Sequence, residues 1–440
     1  MKRKQEETAV TDTSSKVVAK TELDLFADPL EQQSIEQSYK MEYSPLGTIT
    51  ESGPICFQIP KGEALFTDLS QCFLEVTLRV LKANGAFLTE EDRTKIQPCN
   101  NFFDALFSRV TLLLNSNIIG SDGEYHPQIS LAKNLLTYSH ETLTSTLNQA
   151  IGWYKDFAYP YTEPNIRHPW IARSKTTTFL GRLTDNFFTA KNLLLPNVVD
   201  VNIILHRSAP HFCLIRSAGI TDEYKIQLHN CTLIARRVKL NKATFSHLEA
   251  QLARGAMAKY SYYDTVARTT QIGIGMQNWH AHNMFTGKLP SRILLGICES
   301  IGTAGGSYEN NPMIFPSSHF GVNYVQFFVN TIGLLKRPYQ PDFCRSESNR
   351  SYMGLLEAAR VLSHGGRIGI TSEEFNMCYG LFGYDLTADG SNFSHMTEGN
   401  LSVEIRFRNN TTVSLSGIVI AEFPKMCRID KNGDVYSNDL

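Results

Sequence analysis

The sequence lacks an excess of charge of either sign. Its 440 residues include 42 Lys and Arg against 43 Asp and Glu, which leaves a formal net charge of −1. A chain with balanced charge exerts no overall electrostatic attraction on nucleic acid or on an acidic membrane surface. Any contact with nucleic acid is therefore expected to be local.

Long apolar runs are also missing. No stretch approaches the ~20 consecutive apolar residues that a membrane-spanning helix needs, and the first 20 residues contain no apolar segment of the kind found in signal peptides. The nine cysteines are odd in number and never form a C-x-x-C pair, so neither a zinc ribbon nor a disulfide framework is expected. These absences predict an intracellular, reducing compartment and no membrane span.

Motifs of enzyme chemistry are absent too. The chain has no G-x-S-x-G nucleophile elbow and no H-E-x-x-H zinc-binding helix. The glycine-rich stretch 302–306 lacks the lysine of a phosphate-binding loop. Because no motif supports catalysis, we predict a protein that is not an enzyme and that uses no cofactor.

The sequence His280-Ala281-His282 is a candidate metal site. Two imidazoles on one face of a strand are used in the metal sites of cupin jelly rolls, which also need a nearby glutamate. The glycine that should precede the pair is wrongly spaced here, and the glutamate positions hold Thr286 and Gly287. We therefore predict two structural histidines in a strand or loop, and we retain a two-cupin-like metal-dependent enzyme as the alternative function.

The sequence does contain a regular alternation of apolar and polar residues. Successive side chains of a strand point to opposite faces, so each alternating segment predicts a strand with one dry and one wet face. The clearest segments are 74–80, 199–205, 224–228 and 401–407. Strands of this kind are typical of antiparallel sheets that pack face to face, so the pattern predicts an all-β sandwich architecture.

The length of the chain favours two sandwiches. A single hydrophobic core seldom serves more than about 250 residues, and two halves of about 200 residues fit best. Small residues interrupt the strand pattern at 217–221, where we place the boundary. The predicted domains are a flexible N-terminal arm at 1–20, a first sandwich at 21–217, and a second sandwich with a C-terminal tail at 222–440.

Helical periodicity is scarce. It occurs in the segments 127–147, 244–258 and 352–362, each of which lies between groups of strands. These segments are predicted to be helical insertions in the β framework. Long loops such as 152–175 and 302–315 are rich in Gly, Pro, Asn and Tyr, and loops of this length usually carry function or make contacts.

Aromatic residues are plentiful in loop-like stretches. The chain has 25 Phe and 18 Tyr. Tyr and Trp offer large, rigid contact areas and are enriched at protein interfaces. An equally weighted alternative is that these rings anchor the long loops to their own domain. The candidate inter-subunit contacts are Trp153, Tyr154, Tyr159, Tyr161, Trp170, Phe315 and Phe320.

Seven segments between about Thr21 and Asp434 carry a resemblance to a known family. They are ELDLFADPLEQQSIEQS, EYSPLGTITESGPICFQIP, NNFFDALFSRVTLLLN, HNMFTGKLPSRILLG, NPMIFP, FGYDLTADG and GNLSVEIRF. In number and order they resemble the double jelly-roll major capsid proteins of Polinton (Maverick) elements and the related adintoviruses. The resemblance implies two consecutive jelly-roll β-sandwiches with a few short helices in loops, in the lineage that includes the adenovirus hexon.

The resemblance also implies a function. Three chains would place six similar sandwiches around a threefold axis, and such pseudo-hexagonal homotrimers tile the facets of an icosahedral double-stranded DNA virus or virus-like transposon. The implied partners are other copies of the chain, a penton-type minor capsid protein, and packaged DNA in weak contact with the arm at 1–20. The expected location is the virion, after assembly in the nucleus or the cytoplasm. The family supplies no catalytic, cofactor-binding or metal-binding residues.

Overall fold

The structure of the protein is a computed structural model. It describes residues 32–62, 64–120, 124–146, 148–157, 166–184, 186–189, 194–300, 311–362, 366–387 and 398–439. The predicted arm at 1–20, the glycine-rich stretch 302–306, Tyr159 and Tyr161 lie outside these residues.

Strands dominate the described part of the chain. They are β1 (Ile35–Tyr43), β2 (Ile55–Ile59), β3 (Leu65–Lys82), β4 (Ile96–Pro98), β5 (Phe107–Leu114), β6 (Asn117–Ile119), β7 (Thr177–Arg182), β8 (Leu194–Leu195), β9 (Val201–Arg207), β10 (Leu214–Arg216), β11 (Tyr224–Leu240), β12 (Ala258–Ile272), β13 (Asn278–Lys288), β14 (Arg292–Glu299), β15 (Val322–Val329), β16 (Ile332–Gly333), β17 (Phe382–Asp385), β18 (Glu398–Phe407), β19 (Leu415–Ile429) and β20 (Val435–Asp439). The all-β class predicted from the sequence is confirmed.

The helices between these strands are short. The α-helices are α1 (Phe102–Ala105), α2 (His126–Thr137), α3 (Asn148–Ile151), α4 (Pro210–Cys213), α5 (Lys242–Ala253), α6 (Asn349–Ala358) and α7 (Ser372–Met377). Single turns of 3₁₀-helix occur at Glu90–Thr94, His168–Trp170, Ala172–Ser174, Asn186–Thr189 and Phe343–Arg345, and a π-helix spans Thr142–Thr146.

The first sandwich consists of two antiparallel sheets. One has the strand order β1-β11-β3-β7, with β8 beside β3, and the other has the order β2-β9-β5-β6. Leu74 and Val76 of β3 and Ile203 of β9 are completely buried in the core, whereas Glu75 remains partly exposed. The alternation predicted at 74–80 therefore separates the residues on the buried face of the sheet from those on its more exposed face.

The second sandwich repeats this plan. Its sheets have the orders β12-β19-β14-β17, with β20 beside β19, and β13-β18-β15-β16. Leu401, Val403 and Ile405 of β18 face the core and are completely buried. Two jelly-roll sandwiches in one chain are the architecture expected from the sequence.

The junction between the sandwiches lies later than predicted. β11 pairs with β3, with Tyr224 opposite Lys82 and Lys239 opposite Leu65, and its other edge pairs with β1. A strand that is hydrogen-bonded on both sides into the first sandwich is part of that sandwich. The prediction that the second sandwich begins at 222 is therefore wrong, since 217–221 is a loop within the first sandwich. The strand pairing places the junction at α5, between β11 and β12.

The three predicted helical segments contain helices with different bounds. The segment 127–147 holds α2 and then the separate π-helix, while 352–362 holds the end of α6. The segment 244–258 holds most of α5, which begins earlier because the Asn241 side chain accepts a hydrogen bond from the backbone N–H of Thr244 at 2.7 Å. Such N-caps stabilise the first turn of a helix.

Candidate functional site: the junction and the exposed surfaces

A buried polar network joins the two sandwiches. Asp156, in the loop after α3, accepts hydrogen bonds from Arg167 at 2.8 Å and from Asn311, between β14 and β15, at 2.7 Å. The backbone N–H of Asp156 donates to the hydroxyl of Tyr379 at 3.1 Å. All four residues are buried. One carboxylate therefore binds residues from both halves of the chain.

Arg167 is the largest charged group in this network. Its Nε donates to the carbonyl of Pro98 and its Nη1 to the carbonyl of Tyr154, both at 2.7 Å, while Nη2 donates to Asp156. A buried guanidinium costs several kcal/mol of desolvation unless it is paired and its donors are bonded. Both conditions are met here, so Arg167 holds its loop against β4.

Tyr379 is a neutral member of the network. Burial, followed by the negative charge of Asp156, raises the pKa of Tyr379 well above its ordinary value. The phenol therefore stays protonated at physiological pH. It serves as a hydrogen-bonding group between the halves, and Asn100 Nδ2 approaches the same oxygen at 3.5 Å.

A buried ion pair crosses the junction at a second place. Lys155 Nζ lies 2.7 Å from Glu374 Oε2 and also donates to the carbonyl of Gly369. Burial lowers the pKa of Lys155, and the hydrogen bond and charge of Glu374 oppose that effect. Glu374 also accepts a hydrogen bond from the backbone N–H of Thr371 at 2.9 Å, which closes the capping box at the start of α7. The first half of the chain is thus tied to a helix of the second.

Neutral hydrogen bonds add to these ion pairs. The N–H of Gly369 donates to the carbonyl of Leu135 in α2 at 2.6 Å. Near β20, Asn115 Nδ2 donates to the carbonyl of Gly433 at 2.7 Å. The two sandwiches are therefore joined at several separate places.

Two of the predicted inter-subunit contacts are buried inside the chain. Trp153 and Phe315 are both 0% exposed and belong to the hydrophobic core. The backbone of Phe315 accepts from the N–H of Gly380 and donates to the carbonyl of Cys378, at 2.9 Å and 2.7 Å. These rings anchor their loops to the core, so the prediction that they contact another subunit is wrong.

Three other predicted contacts are partly exposed. Tyr154 packs edge-to-face on Phe157, whose side chain is 40% exposed, with ring centroids 6.4 Å apart. Trp170 packs edge-to-face on the buried Phe179 at 6.3 Å, and Phe320 lies against the core. Because Tyr154, Trp170 and Phe320 keep some exposed surface, their role as inter-subunit contacts remains a prediction.

β1 is an exposed edge strand that the sequence pattern did not predict. β1 pairs with β11 along one edge, its other edge has no partner among the described strands, and none of its side chains is buried. Tyr39 and Met41 are among its exposed side chains. Free strand edges readily pair with other chains unless they are covered. Period-two alternation could not reveal β1, because the strand has no dry face.

His280 and His282 lie in strand β13, and the sequence predicted a strand or a loop at this position. Their ring centroids are 4.0 Å apart, and the ring of Phe328 lies 5.4 Å from that of His280. Partial burial and then the charge of His282 lower the pKa of His280, while Glu404 opposes them. The described residues contain no group of three or more His, Cys, Asp and Glu side chains that could hold a metal ion.

No α-helix in the described ranges has both the length and the apolar character needed to span a membrane.

Comparison with known proteins identifies the fold. No protein-family model matches the chain. An uncharacterized protein of Caenorhabditis elegans is 22% identical over 392 residues, which cover 86% of this chain and 91% of that protein.

Solved structures of viral proteins are similar over almost the whole chain. The mavirus major capsid protein has a TM-score of 0.55 at 10% identity, covering 100% of this chain and 97% of its own. PBCV-1 VP54, fitted into a reconstruction of the virophage Sputnik, has a TM-score of 0.59 at 11% identity, covering 94% and 99%. The Sputnik virophage structure has a TM-score of 0.59 at 12% identity, covering 96% and 92%. The chain therefore has the double jelly-roll fold of these proteins.

Proposed function

We propose that this chain is the major capsid protein of an icosahedral double-stranded DNA virus or virus-like transposon. The observation that carries the proposal is the full-length likeness of its double jelly roll to viral capsid proteins such as that of mavirus. The junction supports the same role. A tile in a closed shell must keep its two sandwiches in a fixed orientation, and the buried Lys155–Glu374 ion pair and the hydrogen bonds of Asp156 to Asn311 and Tyr379 favour such an orientation.

The functional unit in this proposal is a homotrimer. Three chains arrange six similar sandwiches around a threefold axis, so that a pseudo-hexagonal tile meets its neighbours through repeated contacts. Each contact between tiles can be weak, since every tile is held by several neighbours at once. An obligate trimer should bury roughly 2,000 Å² or more at each subunit pair. The partly exposed rings of Tyr154, Trp170 and Phe320 are the candidate contacts.

The lineage and the other partners belong to the same proposal. The seven sequence segments favour the Polinton (Maverick) and adintovirus group within the hexon-like lineage. In a virion, the partners are further trimers, a penton-type protein at the vertices, and packaged DNA in weak contact with the basic residues of 1–20. The proposed role is structural, without catalysis or a cofactor.

The mass of the purified full-length chain in solution tests the proposal. Light scattering is expected to give three times the chain mass of 49.5 kDa, and negative-stain images of the same fraction are expected to contain pseudo-hexagonal particles or closed shells. A monomer at all concentrations that carries one metal ion and has metal-dependent activity would overturn the proposal in favour of the two-cupin-like enzyme.

A further inference from the structure

Two imidazoles are in unusually close contact on the outer face of the β13-β18-β15 sheet. In a regular strand, residues two apart are separated by roughly 6.7 Å, since each residue advances about 3.3 Å. The ring centroids of His280 and His282 are only 4.0 Å apart. The two side chains therefore lean toward each other.

β13 is irregular beside this contact. The register of the pairing with β18 changes between Ala281 and Phe285. This part of β13 therefore contains more residues than the part of β18 opposite it. Asn283 adopts a positive φ of 51°, and its N–H donates to the hydroxyl of Ser402 at 3.1 Å. Bulges of this kind bend a strand and redirect its side chains, and they often occur beside functional sites. This bulge begins at His282.

The ring nitrogens of both histidines are available to a ligand. Both residues are exposed, and neither ring forms a hydrogen bond within the part of the chain that the structure describes. Glu404 faces His280 across the strands, but its carboxylate pairs with Arg406 at 2.8 Å. Glu404 therefore adds negative charge near the two histidines but does not bond to their ring nitrogens.

We propose that His280 and His282 together chelate one divalent transition-metal ion of the zinc, nickel and copper class. Neutral imidazole is a preferred ligand of these ions. Zinc–nitrogen bonds of about 2.0–2.1 Å require two ligand nitrogens to converge on one point, and neighbouring exposed imidazoles reach such a point by rotating about their side-chain bonds. Two histidines fill two of the four positions around zinc, and water or a group from another chain fills the others.

The proposal concerns a surface chelate. It differs from the cupin-type site, because that site needs a glutamate and a further histidine in the same chain. It is also independent of the capsid role, since that proposal rests on the fold and not on these two histidines. The proposed chelate rests on the bulge, on the contact between the two rings and on their free nitrogens.

Calorimetric titration of the metal-free full-length chain with zinc chloride, and separately with nickel chloride, tests the proposal. We expect saturable binding of one ion per chain. His280→Ala and His282→Ala should each weaken binding by about 100-fold, because the second ligand of a chelate binds intramolecularly. His247→Ala is the matched control, since His247 is exposed on α5 and its ring lies 3.3 Å from the side-chain amide of Gln251 in the same helix.

The variants are expected to fold, because all three positions are exposed, and circular dichroism melting curves check this. The proposal is overturned if the wild-type chain shows no saturable binding. It is also overturned if His280→Ala and His282→Ala bind zinc as tightly as His247→Ala. In that case other histidines hold the ion.

Discussion

Asp156 and Arg167 form a salt bridge of 2.8 Å in which both side chains are almost completely excluded from water. The two residues belong to one loop of the first sandwich, yet Asp156 also binds Asn311 and Tyr379 from the second half of the chain. The pair therefore fixes the loop and the junction at the same time. Disrupting it should affect the stability of the whole chain.

Arg167→Met tests this role. The substitution leaves the Asp156 carboxylate buried without its cation, which typically costs about 3–5 kcal/mol. We expect a loss of that size in the free energy of unfolding, measured by guanidinium titration with fluorescence detection.

The matched control for Arg167→Met is Arg367→Met. Arg367 pairs with Glu141 at 3.3 Å, but both side chains are more than 70% exposed, and exposed pairs contribute about 1 kcal/mol or less. Equal losses in the two variants would show that burial of the Asp156–Arg167 pair has no special importance.

Gly296→Ala should strain the core beside Phe315. A β-carbon added to Gly296 would lie 2.6 Å from Cε1 of Phe315, whose fully buried ring has no room to move. Overpacking of this kind typically costs about 1–3 kcal/mol. Thermal unfolding should show a lowered midpoint for Gly296→Ala and no decrease for Gly273→Ala, because nothing lies within 4 Å of that position. An unchanged midpoint for Gly296→Ala would mean that the Phe315 loop is not packed as described.

The ion pair between Glu422 and Arg292 should make the stability of the folded chain depend on pH in the acidic range. Burial acts to raise the pKa of Glu422, but Arg292, Lys133 and Arg360 outweigh it and hold the pKa below its ordinary value. The folded chain therefore binds this proton more weakly than the unfolded chain, whose glutamates titrate at about 4.3. The stabilisation is complete above that pH and is lost as the pH falls through the folded pKa.

The melting temperature as a function of pH measures this effect. We expect the wild-type chain to lose more stability between about pH 5 and pH 3 than Arg292→Met, in which the partner of Glu422 is missing. Arg367→Met, which breaks only an exposed pair, should follow the wild-type curve. Parallel curves for wild type and Arg292→Met would contradict the prediction.

The aromatic pair of Tyr154 and Phe157 should contribute to the proposed trimer. Replacing both by serine removes exposed ring surface, and aromatic residues at the centre of an interface often contribute about 2 kcal/mol or more. We expect light scattering to detect dissociation of the double variant at a concentration where Ile274→Ser, a control at a 68% exposed position, remains trimeric. A double variant that stays as trimeric as the control would remove this loop from the interface while leaving the trimer itself in place.

Strands with one buried face were predictable from sequence. At 401–407 buried residues alternate strictly with half-buried or exposed ones, because β18 lies between β13 and β15 with one face on the core. The boundary at 217–221 failed for a physical reason. A break in the apolar pattern marks a loop, and pairing partners far apart in the sequence decide to which sandwich the next strand belongs.

The junction was less accessible to sequence analysis. Asp156 and Arg167 look like ordinary solvated charges in a polar loop, and nothing local reveals that each is buried against the other. Helix α7 did carry a signal, since Thr371 and Glu374 form the T-x-x-E pattern of a capping box. That pattern would have located the helix, although not the contact of Glu374 with Lys155.

The pairing of β3 with β11 has a consequence for synthesis of the chain. Leu65 and Lys82 bond to Lys239 and Tyr224, so the centre of this sheet cannot close until Leu240 has left the ribosome. Until then the nascent chain leaves the long edge of β3 that pairs with β11 open. Pairings between distant segments fold slowly and leave such edges open to aggregation. Translation that pauses before β11 is complete should therefore increase the demand for chaperones.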